Sequence, residues 1–266
     1  MRLFIVLLVT TLFMAGCSQE PGTPSADTAV SNEAVTPAMN PIQAAIANPA
    51  RSDADRETDL RRKPDQVLAF FQIKPGMTVL DMFSGGGYYT ELLSYVVGDD
   101  GKVHAHNNSP YLSWLADPIK ERYQPGKLPN VIRFTAENNR LDLPADSFDA
   151  VLMIMSYHDV YHVDPENGWE AIDGPAMLAQ LFQSMKPGAV LGIVDHAAIA
   201  GAPAETGETL HRIDPELAKA DITAAGFIFE ASSDVLANPE DDHTLHTFSD
   251  EMRGKTDRFV FRFRRP

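Results

Sequence analysis

The chain has 266 residues, 44% hydrophobic and 22% charged, an ordinary globular composition long enough for one sizeable domain and a tail. Its formal net charge of −15 would repel nucleic-acid phosphates, which argues against a nucleic-acid partner and suits a soluble domain acting on small or cationic molecules. A single cysteine, Cys17, leaves no internal disulfide.

Met1-Arg2 supplies one positive charge, and Leu3 to Met14 is mostly apolar. A finished membrane helix needs about 20 apolar residues, so this run predicts the core of a secretory signal instead. It ends in Met14-Ala15-Gly16-Cys17, which resembles a bacterial lipobox with Met14 where Leu is usual. That resemblance implies a signal peptide over 1–16 and lipidation of Cys17. Ser18 after the cysteine points to the periplasmic face of the outer membrane in such lipoproteins. The alternative is a plain signal peptide with a chance cysteine. Residues 17–40 are rich in Ser, Thr, Pro, Ala and Glu and lack hydrophobic periodicity, which predicts a disordered tether.

A folded domain is expected over 41–266. Its first part, 41–75, predicts short helices, one opened by Pro41 and one by Pro64, forming a lid over a ligand site. Lys63 is a poor N-cap for the second. Strands are expected at Met77–Asp81, Lys102–His106, Val131–Thr135, Asp149–Met155 and Ala189–Asp195. Helices alternate with them: from Gly87 to Gly98, from Ser109-Pro110 with Pro118 as an interruption, and from Gly174 to Met185, closed by Lys186-Pro187-Gly188. The uninterrupted run Ala150 to Met155 suits a central strand buried on both faces. Asp214-Pro215-Glu216 caps a helix that ends at Gly226, and Phe227–Ala231 reads as a strand. Arg258 to Arg264 alternates, predicting a buried Phe259/Phe261/Phe263 face and a solvated face of Arg258, Val260, Arg262 and Arg264. The pattern predicts a doubly wound α/β fold with a mostly parallel sheet and a closing antiparallel strand.

Val79 to Thr90 runs from apolar residues into an acid, a small-residue turn and a helical pattern. Such a turn exposes peptide N–H groups at a helix start, and Asp81 at the strand tip is placed to bond a ribose or a charged amine. Asp81, Gly85 and Gly87 resemble the acid and Gly-x-Gly-x-Gly turn of class I S-adenosylmethionine-dependent methyltransferases, with Phe83 at the first glycine position. Leu143 to Asp149 and Met185 to Ala189 resemble that family's passages before its fourth and fifth strands. More narrowly, the chain is similar to predicted methyltransferases of bacterial envelopes. The resemblance, over about residues 60–266, implies a Rossmann-like fold, S-adenosyl-L-methionine as cofactor and a small-molecule acceptor. It implies cofactor contacts from Asp81, Ser84, Gly85, Gly87, Asn107, Glu137 and Asn138. Asn107 stands where the family carries an acid.

In open α/β sheets ligands lie beyond the strands' carboxyl ends, so Tyr157, His158, Asp159 and His162 are the expected catalytic residues, with His158 as base. Asp195-His196 would face the same crevice. No metal signature such as H-E-x-x-H is present and no metal is assigned; an alternative enzyme would gather His158, His162, Asp159, Asp195, His196 and His211 about a metal ion. A second alternative is a non-catalytic ligand-binding lipoprotein. Asp241-Asp242-His243 with His246 reads as a solvated surface run. A charged cofactor does not cross a bilayer unaided, so an exported enzyme would need a supply of it.

Overall fold

The computed structural model describes residues 39–266; the expected signal peptide over 1–16, the expected lipidation site Cys17 and the expected tether up to residue 38 lie outside the described residues. In chain order the elements are α1 (Pro41–Ile46), α2 (Asp53–Arg62), α3 (Pro64–Phe70), β1 (Thr78–Met82), α4 (Tyr88–Val97), β2 (Lys102–Asn107), α5 (Ser109–Trp114), α6 (Ala116–Arg122), β3 (Val131–Thr135) and β4 (Phe148–Ile154). They continue through α7 (Gly174–Ser184), β5 (Met185–His196), α8 (Thr206–Leu210), α9 (Pro215–Ala224), β6 (Ile228–Ser233) and β7 (Arg258–Arg264), with a 3-10 turn at His158–Tyr161. Among the described residues no helix is long and apolar enough to cross a membrane.

The strands form one seven-stranded sheet in the order β3-β2-β1-β4-β5-β7-β6. The first five are parallel, and β7 runs antiparallel between β5 and β6. The doubly wound, mostly parallel sheet expected from the alternation is therefore the fold. The strand order reverses between β1 and β4, which opens a crevice at their carboxyl ends. β4 is buried along nearly its whole length, as its unbroken apolar run requires. One apolar cluster packs α1, α3 and α4 on one face of the sheet, and another packs α7 and α9 on the other. At Gly192 in β5 a Cβ would come within 2.8 Å of the Phe71 ring, so the close docking of α3's end needs glycine there.

Several boundaries differ from expectation for identifiable reasons. The break expected at Pro118 falls at Leu115, between α5 and α6. Proline has no N–H for the carbonyl four residues back, so the helix yields upstream of the ring. Lys63 has no side-chain cap and takes a left-handed φ of 43°, ending α2 and beginning α3. Lys186-Pro187-Gly188 does not precede β5 but bulges out of it. Phe148 pairs with Met185, whereas Ala150 already pairs with Val190.

The arginine-bearing face of β7 is a correction. It is not solvated: Val260 is fully buried and Arg258 is 5% exposed. α2 and α3 cover it, with the Arg262 guanidinium over the Phe70 ring and Arg258 Nη1 donating to the Arg61 carbonyl. Period-two alternation identified one apolar face but could not show that helices from the far end of the chain cover the other.

Candidate functional site

The turn after β1 is held in shape from three sides. Phe83, Gly85 and Gly87 take φ of 54°, 59° and 84°, all left-handed. For a residue with a Cβ this conformation costs about 1–2 kcal/mol. Phe83 offsets that cost by burial: its ring stacks on Trp169 at 6.0 Å, and Trp169 stacks on Trp114 at 5.5 Å. Its N–H donates to His106 Nδ1, while His106 Nε2 meets the Ala136 carbonyl at 2.9 Å. Burial lowers the His106 pKa to about 4, so the ring stays neutral and accepts at Nδ1. From α6, Arg122 donates to the Gly86 carbonyl and pairs with Asp55 and Glu91.

The residues implied as cofactor contacts separate into two groups. Asp81, Ser84 and Gly85 open, with Gly86, onto a cavity of about 510 Å³. Ser84 Oγ is buried beside the Tyr123 hydroxyl. Asp81 accepts from Thr90 Oγ1 at 2.5 Å, and burial raises its pKa to about 7 against that bond and the Arg62 charge. The other residues are committed elsewhere. Asn107 accepts from Gly85 N at 2.9 Å and donates to Gly85 O at 3.0 Å, clasping the turn. Glu137 accepts from Ser109 N and Oγ, and Asn138 accepts from Asn108 Nδ2, tying β3's tip to α5. Gly87 caps α4 beneath Tyr123, whose hydroxyl a Cβ would meet at 2.6 Å. Asn107 thus clasps the turn and, with Ser84, lines a second cavity of about 270 Å³, while Glu137, Asn138 and Gly87 lie outside the first cavity.

The segment after β4 divides similarly. His158 lines the cavity, and Asp159 lies beside it, 5% exposed. Tyr157 turns away to the α7–α9 side, where its hydroxyl reaches Asp221 at 3.4 Å. His162 packs its ring edge on Trp169 at 5.2 Å, outside the cavity. The 3-10 turn sends successive side chains in different directions, so the four residues do not converge. Asp195 is fully buried: Oδ1 is 2.7 Å from His158 Nδ1, and Oδ2 accepts the His158 N–H at 2.7 Å. Burial alone would lower the His158 pKa, but the Asp195 and Asp159 carboxylates outweigh it and hold the ring at about 9. At neutral pH the imidazole is thus a cation and a donor, which corrects its expected role as a ready base. Burial and nearby cations push His196 well below its usual range; Nδ1 meets Thr256 Oγ1 at 2.7 Å.

Two arginines absent from the expected site face the same cavity. Arg62, at the end of α2, lies over the Tyr88 ring at 4.6 Å. Arg258, at the start of β7, bonds Thr256 Oγ1, and burial beside Arg62 lowers its pKa to about 10. Neither guanidinium reaches a carboxylate among the described residues. The sequence signal was the arginine alternation of β7. The loop before it also contributes: Thr247, Phe248 and Arg253 close the cavity.

Comparisons with known proteins agree with this architecture. Residues 64–136 match the family model described as protein-L-isoaspartate(D-aspartate) O-methyltransferase. A ubiquinone/menaquinone biosynthesis C-methyltransferase of Shewanella piezotolerans is 28% identical over 123 residues, covering 46% of this chain and 43% of that protein. The chain thus matches less than half the length of that relative. Among solved structures, an S-adenosylmethionine-dependent methyltransferase from Aquifex aeolicus is similar at a TM-score of 0.54 and 23% identity, covering 79% of this chain and 94% of that one. One from Mesorhizobium loti has a TM-score of 0.55 at 14% identity, covering 78% and 100%. The fold is that of the class I methyltransferases.

Proposed function

We propose that the chain is an S-adenosylmethionine-dependent methyltransferase acting on a small-molecule acceptor. The observation that carries this proposal is the meeting of Asp81, Ser84 and the Gly85–Gly86 turn in one cavity at the β1/β4 switch point. A volume of about 510 Å³ falls within the range of about 300–1,000 Å³ usual for small-ligand sites. These residues fit the cofactor: Asp81 offers a carboxylate to an amine or hydroxyl, and Gly86 offers a peptide N–H in a turn with no side chain in the way. When bound, the cofactor supplies an electrophilic methyl group on a sulfonium.

The chain's own residues then align the acceptor and exclude water. Arg62 and Arg258 provide counter-charge for a carboxylate or phosphate group in the cavity. His158, fixed by Asp195, forms part of the cavity wall. Calorimetric titration of the chain with S-adenosylhomocysteine and S-adenosylmethionine tests the assignment. One-to-one binding in the micromolar range is expected, and no heat at millimolar ligand would remove it.

The Met14-Ala15-Gly16-Cys17 sequence further supports a lipid-anchored protein of the bacterial envelope. Cells fed a labelled fatty acid are expected to label the wild-type chain and leave Cys17→Ser unlabelled, with that variant shifted from the membrane to the soluble fraction. Labelling that survives the substitution would exclude Cys17 as the anchor.

A further inference from the structure

Beside the cavity, three side chains from two distant segments bring potential metal-ligand atoms together. His158 and Asp159 belong to the 3-10 turn after β4, and His211 follows α8. α8 lies close against that turn because Gly207 has no side chain: a Cβ there would stand 2.6 Å from the His158 carbonyl. His211 then takes a left-handed φ of 50°, which ends α8 and turns the ring toward the pair. His158 Nε2 is 3.2 Å from His211 Nδ1 and 3.3 Å from Asp159 Oδ1, and His211 Nδ1 is 3.8 Å from Asp159 Oδ1.

The partners behind these atoms fix their roles. Asp195 engages His158 Nδ1, which leaves Nε2 directed at the other two atoms; a bound metal ion would take the place of the proton that Nε2 otherwise carries. Tyr111 donates to the far oxygen of Asp159 at 2.6 Å, leaving Oδ1 for the cluster. Carboxylate behind imidazole and hydroxyl behind carboxylate are the supports that hold metal ligands in orientation. A proton on His158 Nε2 can draw these atoms together, and a metal ion that displaced it would be held by the same three atoms. Zinc bonds of about 2.0–2.1 Å place tetrahedral ligand atoms about 3.3–3.4 Å apart, against about 2.9 Å for an octahedral ion of the same bond length. The two separations from His158 Nε2, 3.2 and 3.3 Å, lie near the tetrahedral value, and the 3.8 Å between His211 Nδ1 and Asp159 Oδ1 would have to close by about 0.4 Å.

We propose that His158 Nε2, Asp159 Oδ1 and His211 Nδ1 bind one Zn²⁺ ion. Three protein ligands leave a fourth position for water or substrate, the pattern of a catalytic zinc rather than a structural one. The site stands on its own geometry. Its use, lowering the pKa of an acceptor's hydroxyl or thiol so that the proton leaves before methyl transfer, rests on the methyltransferase assignment.

The purified full chain, stripped by chelator, would be titrated with ZnCl₂ and separately with anaerobic Fe²⁺, with elemental analysis of the protein as isolated. One equivalent of zinc is expected. His211→Ala and the near-isosteric Asp159→Asn should each weaken it at least about 100-fold, because loss of even an outer supporting partner costs 10–100-fold. His243→Ala, outside the cluster, should bind as the wild type does. Thermal melts of each variant separate a lost ligand from a lost fold. Absence of saturable zinc binding up to precipitation, or equal binding in the well-folded Asp159→Asn variant, would show that the cluster holds only protons. Preference for Fe²⁺ over Zn²⁺ would overturn the zinc assignment. S-adenosylhomocysteine titration of the same samples keeps the two proposals apart, since either ligand can bind when the other fails.

Discussion

Replacement of Asp81 with alanine is expected to weaken S-adenosylhomocysteine binding about 100-fold, since hydrogen bonds to a charged group contribute about 1.5–3 kcal/mol. The same carboxylate sets a pH dependence. Burial raises its pKa to about 7 in the free protein, and only the ionised form attracts an ammonium group. Affinity should therefore rise about tenfold per pH unit below 7 and level off above it, with a proton released on binding at lower pH. Asp81→Asn should bind weakly with little slope. The stability effect has the opposite sign. The folded chain holds this proton more tightly than the unfolded chain, so the carboxyl's contribution to stability declines as pH rises from about 4 to 7. Asp81→Asn should accordingly be more stable than wild type at pH 7.5, and this advantage should shrink toward pH 4. A steep affinity profile in the asparagine variant would place the titrating group elsewhere.

Replacement of Arg212 with alanine is expected to destabilise the fold by about 3–5 kcal/mol, because it leaves a buried carboxylate without its partner. Arg212 is fully buried. Its Nη1 and Nη2 meet the Asp241 carboxylate at 2.8 and 3.1 Å, Nη1 also donates to Ala197 O, and Nε donates to Leu245 O. Burial would raise the Asp241 pKa, but the guanidinium and the N–H groups of Asp257 and His243 hold it below the usual carboxylate range. The pair ties the long loop between β6 and β7 onto the end of β5, where Thr247 and Phe248 close the cavity. At about 2–4 °C per kcal/mol for a chain of this size, the melting temperature should fall by about 6–20 °C. Arg212→Met with Asp241→Leu should recover most of the loss, since an apolar pair of similar volume leaves no charge buried. A double variant no more stable than Arg212→Ala would show that the hydrogen bonds to Ala197 and Leu245 carry the effect. Asp241 was expected in a solvated surface run. Its acidic neighbours gave that impression, and its partner lies 29 positions upstream, where no local pattern points to it.

What the sequence determined by itself was what local periodicity encodes. The apolar run of β4, the glycine turn after Asp81 and the alternation of β7 specified strands, helix starts and the doubly wound sheet, because each depends on residues a few positions apart. The same turn located the site, since a strand ending in an acid and small residues lies at the sheet's carboxyl edge in this topology. Only the tertiary structure decided which side chains face the cavity. Asn107, Glu137 and Asn138 stand where cofactor contacts were expected, yet each bonds to a neighbouring segment: the two asparagines are buried beside groups that their amides must pair with, and the exposed Glu137 accepts from Ser109. Tyr157 and His162 left the site because a 3-10 turn fans its side chains apart. Arg62 and Arg258 entered it from α2 and β7, and His211, at the end of α8, meets His158 beside it. These residues are far apart in sequence, and their convergence depends on how the helices and the final loop pack against the sheet, which no local spacing records.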